Sequence, residues 1–486
     1  MPNACATQRK LLIVSFLSDT AMSLIDNHLA IFDPVTDLDL AERYLTDWPR
    51  DTQGKARVIL RPRTAEEVAD IVRICASAAI PIVPQGGHTG LVAGAVPSAD
   101  GTEVVVSLER LNRIREVDAA NFSMTVEAGC ILANLHAVAA EHERLFPLSL
   151  GAQGSCQIGG NVATNAGGIN VLRYGMTRNL VLGIEAVLPD GQIWNGLRKL
   201  HKNNTGYDLK QLFIGSEGTL GIVTAVSLRL FPKPTQVETA FLAVENAAAA
   251  VALYGLARRD LSDLLSAFEL IGHFGLELAQ EATPDLRHPL ESKSSHYVLM
   301  EASASGLVDL AALMQRFLEG AIEAGHVLDG TVAANSTQAG ALWRIREDLV
   351  EGQARRGRHL RTDVSVPISD IASFLAKTDA ALAATEPRAI PVAYGHIGDG
   401  NLHYNVLPPA GMAEDDKPAF LKRCEQVVYA ALPEFGGSIS AEHGIGRAKR
   451  DSYLKGLAPA EKALTEGMKR VFDPQGIMSP GRLFEA

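Results

Sequence analysis

The sequence predicts an α+β protein with more than one domain, and three observations support this. The chain has 486 residues, more than one hydrophobic core usually serves. Residues 58–84 have the pattern of a strand, a helix and a second strand, which is a β-α-β unit. Beyond Pro232 and Pro234, alanine-rich helices alternate with strands, which is typical of helices packed on an antiparallel sheet.

Domain boundaries follow from these changes in pattern. We predict an N-terminal tail and helical lead-in at residues 1–50, a first domain at 51–235, a second at 236–435 and a closing segment at 436–486. The start of the tail is charged and then briefly apolar, without a cleavage site, so we expect a start-site extension or a disordered tail. Met22 is an alternative start.

Composition excludes several classes of partner. The net charge of −11 argues against nucleic acid or an anionic membrane as the main partner. The five cysteines are scattered without a C-x-x-C pair, which favours a reducing, cytoplasmic location over a disulfide framework. We find no run of about 20 apolar residues and predict no membrane span.

The elements follow in order. Thr64 and Glu67 have the spacing of a capping box at the start of the first helix. Residues 81–84 are the next strand and residues 131–142 a later helix. In the second domain, helices are expected at residues 247–257, 307–324 and 417–432, and strands at 240–244 and 297–301.

Four glycine-containing polar stretches lie among the predicted elements of the first domain. In residues 85–94, closely spaced glycines let backbone N–H groups converge on a phosphate. The stretch matches neither the nicotinamide-dinucleotide fingerprint nor the P-loop, and a tight loop is the alternative. Residues 151–168 contain six glycines among small polar residues and could surround a large polar cofactor. Residues 202–208 and 214–222 are two further stretches of this kind.

A histidine hairpin is predicted at residues 395–406. Asp399-Gly400 favours a two-residue type I′ turn, which would place His396 opposite His403 and Asn405 on the same face. Glu442 and His443 lie between small residues later in the chain. Two histidines and one glutamate are a common divalent-metal set, and the remaining histidine could act as a base. The alternative is that the hairpin histidines are only hydrogen-bonded.

Four segments carry a resemblance to a known family: residues 202–209, 214–222, 395–403 and 440–444. They resemble the flavin-binding family that includes vanillyl-alcohol oxidase and p-cresol methylhydroxylase, and more narrowly its D-2-hydroxyglutarate and D-lactate dehydrogenases. The resemblance implies a two-subdomain, p-cresol-methylhydroxylase-type (PCMH-type) FAD-binding domain. An α+β cap domain with an antiparallel sheet would supply the substrate site, and a small C-terminal segment would return to the flavin.

The resemblance also implies roles for individual residues. His396, His403 and Glu442 would bind a divalent metal, with Zn²⁺ expected, and His443 would be the base. Asn405 would contact the substrate. The residues expected to contact FAD are Gln85, Gly86, Gly87, His88, Thr89, Gly90, Leu91, Gly151, Ser155, Gly159, Asn161, Thr164, Glu217, Gly218 and Ile222.

The chemistry implied is oxidation of a D-2-hydroxy acid to a 2-oxo acid. It needs a cation for the carboxylate, a Lewis acid for the hydroxyl and a base for its proton, while the flavin accepts the hydride. Arg346 and Arg361 are the candidate cations, and a solvated basic face is the alternative for each. D-2-hydroxyglutarate and D-lactate both stay open as substrates.

The chain departs from the hydroxyglutarate enzymes at three positions. Val350 stands where they have threonine, and Arg361 where they have lysine; both bear on a distal carboxylate. His88 stands where they have asparagine. Some relatives use such a histidine to bond FAD covalently, but we predict noncovalent FAD.

Two other functions compete with this one. An oxidase of the same fold would pass electrons to O₂, and a metal hydrolase would use His396, His403 and Glu442 alone. No second redox centre is visible in the sequence, so a dehydrogenase would need a separate carrier: electron-transfer flavoprotein, a quinone or a cytochrome. A homodimer is the assembly we expect.

Overall fold

The computed structural model describes residues 25–485, apart from the side chain of Leu38, so the predictions for residues 1–20 and for Met22 lie outside the described residues. The strands before residue 234 are β1 (Val58–Leu60), β2 (Ile82–Gln85), β3 (Val104–Ser107), β4 (Ile114–Asp118), β5 (Ser123–Glu127), β6 (Arg144–Leu145), β7 (Val181–Val187), β8 (Ile193–Gly196), β9 (Ile222–Arg229) and β10 (Phe231–Pro232). The helices there are α1 (Leu38–Leu45), α2 (Ala65–Ser77), α3 (Leu132–Glu141), α4 (Ile158–Ala163), α5 (Val171–Tyr174), α6 (Thr177–Leu180) and α7 (Lys210–Phe213).

The predicted β-α-β unit forms, with a third strand inserted. β1 and β2 both pair in parallel with β3, which lies between them. Thr64 caps α2 by accepting the Glu67 N–H at 3.2 Å, but the Glu67 carboxylate accepts the N–H of Arg63 instead of that of Thr64. Half of the predicted capping box is therefore present.

A second, antiparallel sheet follows in the order β4-β5-β9-β7-β8. Its buried side chains pack with α3, α4 and α7 into one core, while β1–β3 and α2 form another. The glycine-rich residues 85–94 and 151–168 lie between these two units, because one follows β2 and the other leads into α4.

The second half of the chain contributes the largest sheet. Its strands are β11 (Gln236–Val244), β12 (Leu265–Gly272), β13 (His296–Ala304), β14 (Asp329–Val332), β15 (Val364–Ser365), β16 (Ile390–Gly395) and β17 (Asn401–Leu407). Its helices are α8 (Ala247–Leu261), α9 (His273–Ala282), α10 (Leu310–Glu323), α11 (Ser336–Arg355), α12 (Ile371–Thr385) and α13 (Lys417–Ala431), followed by α14 (Arg450–Gly456) and α15 (Pro459–Phe472).

This antiparallel sheet, ordered β14-β11-β13-β12-β16-β17-β15, is covered on both faces. α8, α10, α12 and α13 pack on one face, and α9 and α11 pack on the other. Polar residues of β12, β16 and β17 face α11, and the candidate site is built there. Among residues 25–485, no helix combines the length and the apolar character needed to cross a membrane.

Candidate active site

The histidine hairpin forms, but its predicted register was wrong. Tyr394, not His396, lies opposite His403, so residues 396–400 form a five-residue connection. Gly400 has φ of +87°, whereas Asp399 stays outside the positive-φ region that a type I′ turn requires at both central residues. The reason is tertiary: β15 continues along the loop, and the Val366 N–H donates to the Gly400 carbonyl at 3.1 Å.

The structure nevertheless brings the three candidate metal ligands together. The rings of His396 and His403 lie 5.7 Å apart between centroids. Oε1 of Glu442 lies 3.9 Å from Nε2 of His396 and 3.8 Å from Nε2 of His403. One possible ligand atom from each residue falls within 4.8 Å of the others, and both histidines are buried. Two imidazoles and a carboxylate at this spacing fit a divalent transition metal such as Zn²⁺.

Glu269 connects this cluster to Arg346. Nδ1 of His396 donates to Glu269 Oε1 at 2.5 Å, which directs Nε2 towards Glu442, and Nε of Arg346 donates to Glu269 Oε2 at 2.7 Å. Burial alone would raise the pKa of Glu269, but the charges of His396 and Arg346 lower it to about 2. Burial disfavours a charged His396, but Glu269 outweighs burial and raises the pKa of His396 to about 9.

Arg346 and Arg361 lie in different surroundings. Arg346 is buried, with its guanidinium carbon 4.6 Å from the Tyr394 ring centroid, so the alternative of a solvated face is wrong for this residue. Arg361 is half-exposed, and its Nη1 lies 3.5 Å from Oδ2 of Asp51, which precedes β1. The structure therefore places Arg346 beside the cluster and Arg361 near the surface.

Asn405 is buried, and its amide is bonded within the protein. Its oxygen accepts the N–H of Thr362 at 2.9 Å, and its nitrogen donates to Gln353 Oε1 at 2.9 Å and to the Tyr394 hydroxyl at 3.3 Å. In this arrangement Asn405 fixes Tyr394, which opposes His403 across the hairpin.

His443 lies between two features: the cluster of His396, His403 and Glu442, and a cavity formed by the glycine-rich loops. Its ring stacks on His403 at 5.7 Å, with 21° between the planes. Nε2 is 4.0 Å from Glu442 Oε1, and Nδ1 is 3.8 Å from Asp363 Oδ2. The same residue lines a cavity formed by the glycine-rich loops, so its imidazole can reach a group placed between cluster and cavity.

That cavity collects most of the predicted cofactor residues. It is lined by Gln85, Gly86, Gly87, His88, Thr89, Gly90, Gly159, Asn161, Thr164, Glu217, Gly218 and Ile222. Ser155 lies in an adjoining cleft of ≈ 1150 Å³, whereas Leu91 and Gly151 line neither space. Residues 202–208, the third glycine-containing stretch, are exposed at the surface.

Unpartnered polar atoms show that the cavity suits a large polar cofactor. The side-chain oxygens of Gln85, Gln157 and Asn161 are buried without a protein hydrogen-bond partner, and all three residues line the cavity. Buried acceptors normally have partners. A flavin dinucleotide, with its many polar groups, could supply such partners, so the residues present fit FAD.

His88 adopts a positive φ of +57°. Its Nε2 donates to the Thr46 carbonyl at 2.7 Å, and burial lowers the pKa of this imidazole. One ring nitrogen is thus committed to the backbone. Noncovalent FAD stays a prediction, and acid precipitation tests it: yellow colour remaining in the protein pellet would contradict it.

Sequence reasoning missed two carboxylates. Glu269 is the one acidic residue in the apolar strand β12, and Asp363 stands at the entrance of β15. Both are fully buried. A lone acid inside an apolar strand is seldom buried unless it is paired, so Glu269 could have been singled out from the sequence. The backbone groups that Asp363 binds are distant in sequence, and no comparable pattern marks it.

Comparisons with known proteins agree with this geometry. The family model described as the C-terminal domain of FAD linked oxidases matches residues 233–483, and an FAD binding domain matches residues 56–196. The chain therefore belongs to the FAD-linked oxidases and is a flavin-dependent oxidoreductase. The flavin-free metal hydrolase considered above is excluded.

Individual relatives are similar over most of the chain. D-2-hydroxyglutarate dehydrogenase of Xanthomonas citri pv. viticola is 42% identical over 91% of this chain and 92% of the relative. The mitochondrial D-2-hydroxyglutarate dehydrogenase of Danio rerio is 40% identical over 92% of this chain and 82% of the relative. A D-2-hydroxyglutarate–pyruvate transhydrogenase of Saccharomyces cerevisiae is 35% identical, covering 89% and 88% respectively.

Solved structures confirm the fold class. Substrate-bound p-cresol methylhydroxylase aligns with a TM-score of 0.73 at 16% identity, covering 96% of this chain and 97% of that one. The 4-ethylphenol oxidase of Gulosibacter chungangensis aligns with a TM-score of 0.71, also at 16% identity, covering 96% of each chain. The predicted PCMH-type α+β fold is therefore confirmed.

Proposed function

We propose that this enzyme oxidises a D-2-hydroxy acid, with D-2-hydroxyglutarate as the first candidate, to the 2-oxo acid, and that a divalent metal assists. The observation that supports this most is the convergence of His396, His403 and Glu442 beside His443, which also lines the flavin cavity. The relatives named above include dehydrogenases of this acid.

Each residue of the site has a separate role in the proposed oxidation. Arg346 is committed to Glu269 through Nε, which leaves its terminal nitrogens for the substrate carboxylate. His396, His403 and Glu442 would hold the metal, which supplies a Lewis acid that lowers the pKa of the substrate hydroxyl. FAD supplies the acceptor for the hydride from C2. Nε2 of His443 takes the hydroxyl proton, and Asp363 beside Nδ1 stabilises the resulting imidazolium.

D-lactate is the second candidate substrate, and a specific observation favours it. The cation expected at a distal carboxylate, Arg361, is half-exposed and faces Asp51. Val350, at the other position that bears on that carboxylate, offers no hydroxyl and is 48% exposed. A substrate without a distal carboxylate needs neither residue.

An anaerobic mixing experiment tests the proposal. The purified, Zn²⁺-supplied, FAD-loaded protein is mixed separately with D-2-hydroxyglutarate, D-lactate and their L-enantiomers, and the flavin absorption band is followed. We expect the D-acids alone to bleach the band, D-2-hydroxyglutarate faster. A band that none of the acids bleaches would contradict the substrate class.

The electron acceptor is proposed to be a separate carrier: electron-transfer flavoprotein, a quinone or a cytochrome. The same reaction run in air distinguishes an oxidase from a dehydrogenase. Hydrogen peroxide formed at the rate of turnover would establish O₂ as the acceptor, whereas we expect turnover to need an added acceptor.

A further inference from the structure

The loop that carries Glu442 and His443 is held on one side by Asp363. Its Oδ2 accepts three consecutive backbone N–H groups, from Ala441 at 3.1 Å, Glu442 at 3.0 Å and His443 at 2.8 Å. Asp363 is fully buried. Because each bond goes to the main chain, this carboxylate fixes the backbone from which both functional side chains project.

Glu217 holds the following part of the same loop. Its Oε1 accepts the N–H of Ile445 and its Oε2 that of Gly446, both at 2.7 Å. A Cβ built on Gly444 would lie 2.8 Å from Glu217 Oε1, so the carboxylate and the loop are in direct contact. Glu217 itself has a positive φ of +51°, a conformation that its surroundings must maintain.

The two carboxylates belong to different parts of the molecule. Asp363 enters the large sheet through β15, whereas Glu217 lies between α7 and β9 and lines the flavin cavity. Of the backbone N–H groups in residues 441–446, three therefore donate to Asp363 and two donate to Glu217. Nζ of Lys449 lies 3.6 Å from Asp363 and donates to the Ile439 carbonyl at 2.9 Å, which supplies a cation on the Asp363 side.

We propose that Asp363 and Glu217 are positioning residues that set the side chains of Glu442 and His443 relative to His396 and His403. This inference rests on the metal set of the proposed function. Glu217 is also predicted to contact FAD and lines the flavin cavity, and its two carboxylate oxygens accept N–H groups of the loop. Loss of either carboxylate releases the loop and weakens the proposed metal site, although neither residue belongs to the proposed ligand set of His396, His403 and Glu442.

The test uses the full-length, FAD-loaded protein and three substitutions of equal size change. Asp363→Asn and Glu217→Gln each replace a carboxylate by an amide, which cannot accept the same set of N–H groups. The matched control is Glu301→Gln, a largely buried carboxylate of the second domain whose hydrogen bonds go to Thr239 and Trp343. The dissociation constant for Zn²⁺ is measured by competition with a chromophoric chelator.

We expect Zn²⁺ to bind about 10–100-fold more weakly to the two loop variants, the range seen when groups that orient metal ligands are lost. The control should stay within about twofold of the wild type. Amide hydrogen exchange should accelerate at residues 441–443 in Asp363→Asn and at 445–446 in Glu217→Gln. A general loss of stability would instead accelerate exchange throughout the chain.

Gly444→Ala is a further variant that keeps both carboxylates. Its new methyl group would press against Glu217 at a residue with φ of +82°, and it should weaken Zn²⁺ binding in the same direction. If the loop variants bind Zn²⁺ as tightly as the wild type, or if the wild type binds none, the positioning role is overturned. Flavin bleaching by D-acids, measured alongside, decides the proposed function separately.

Discussion

His443 is the residue on which the proposed chemistry most depends. It stacks on His403, lies 4.0 Å from Glu442 and lines the flavin cavity, and the proposed mechanism therefore assigns the hydroxyl proton to its imidazole.

Replacing His443 by glutamine should remove this proton acceptor while leaving the flavin bound. We expect the rate of flavin reduction by a D-2-hydroxy acid to fall about 10²–10⁴-fold, the usual contribution of general base catalysis. Stopped-flow absorbance at the flavin band measures this rate. His142→Gln, at an exposed histidine, is the control, and a wild-type rate in His443→Gln would assign the proton transfer elsewhere.

Glu269 is predicted to matter for stability as well as for the site. In Glu269→Gln, the guanidinium of Arg346 stays buried without its carboxylate partner, and His396 loses the carboxylate that raises its pKa. Loss of one member of a buried ion pair typically lowers the free energy of unfolding by about 3–5 kcal/mol. Denaturant unfolding checks this value, and the exposed Glu319→Gln should have almost no effect.

At the scale of elements, the glycine-rich loop after β2 packs closely on the segment before α4. A Cβ built on Gly87 would lie 2.2 Å from the carbonyl oxygen of Ser155 and 2.9 Å from Cα of Cys156. Backbone atoms cannot move aside as the end of a flexible side chain can, so this close contact requires glycine at position 87.

Gly87→Ala should therefore move the loop and weaken FAD binding. An overpacked contact costs about 1–3 kcal/mol, which corresponds to a roughly 5–150-fold weaker dissociation constant. Titration of the flavin-free protein with FAD, followed by flavin fluorescence, measures it. Gly255→Ala, in α8, is the control, because a Cβ there meets no described atom within 4 Å; equal loss in both variants would contradict this explanation.

At the scale of the whole molecule, residues beyond α15 are bonded to residues 94–103 of the first domain. Arg482 is fully buried; its Nη1 lies 2.5 Å from Glu103 Oε1, and it also donates to the carbonyls of Gly94, Val96 and Pro480. These contacts join residues beyond α15 to the segment around β3, whose neighbour β2 precedes the glycine-rich loop.

We expect Arg482→Met to lower the free energy of unfolding by about 3–5 kcal/mol, because Glu103 loses a buried partner. Arg447, 3.2 Å from Glu103, would still pair with this carboxylate, so we expect a loss near the lower end of that range. Thermal and denaturant unfolding measure the change. Arg470→Met, at a side chain that is 69% exposed, should be nearly neutral, and an equal effect in both variants would refute the fastening role.

Much of this architecture was predictable from local pattern. The spacing of apolar residues and the turn residues predicted the β-α-β unit and the helices near α8, α10 and α13. Apolar side chains recur at the spacing that places them on the buried side of a helix or strand. The grouping of His396, His403 and Glu442 was predicted from the hairpin signal, the family resemblance and residue type, since two imidazoles and a carboxylate are a common divalent-metal set.

Register and long-range pairing were decided only by the tertiary structure. Asp399-Gly400 favours a two-residue turn locally, but β15 pairs with the loop and widens it, so Tyr394 takes the place opposite His403. Glu217 and Asp363 act through main-chain groups more than 70 positions away, and a backbone N–H leaves no trace in residue type. The sequence by itself determined the fold class and the chemical groups of the site; the packing of distant segments decided how those groups are held.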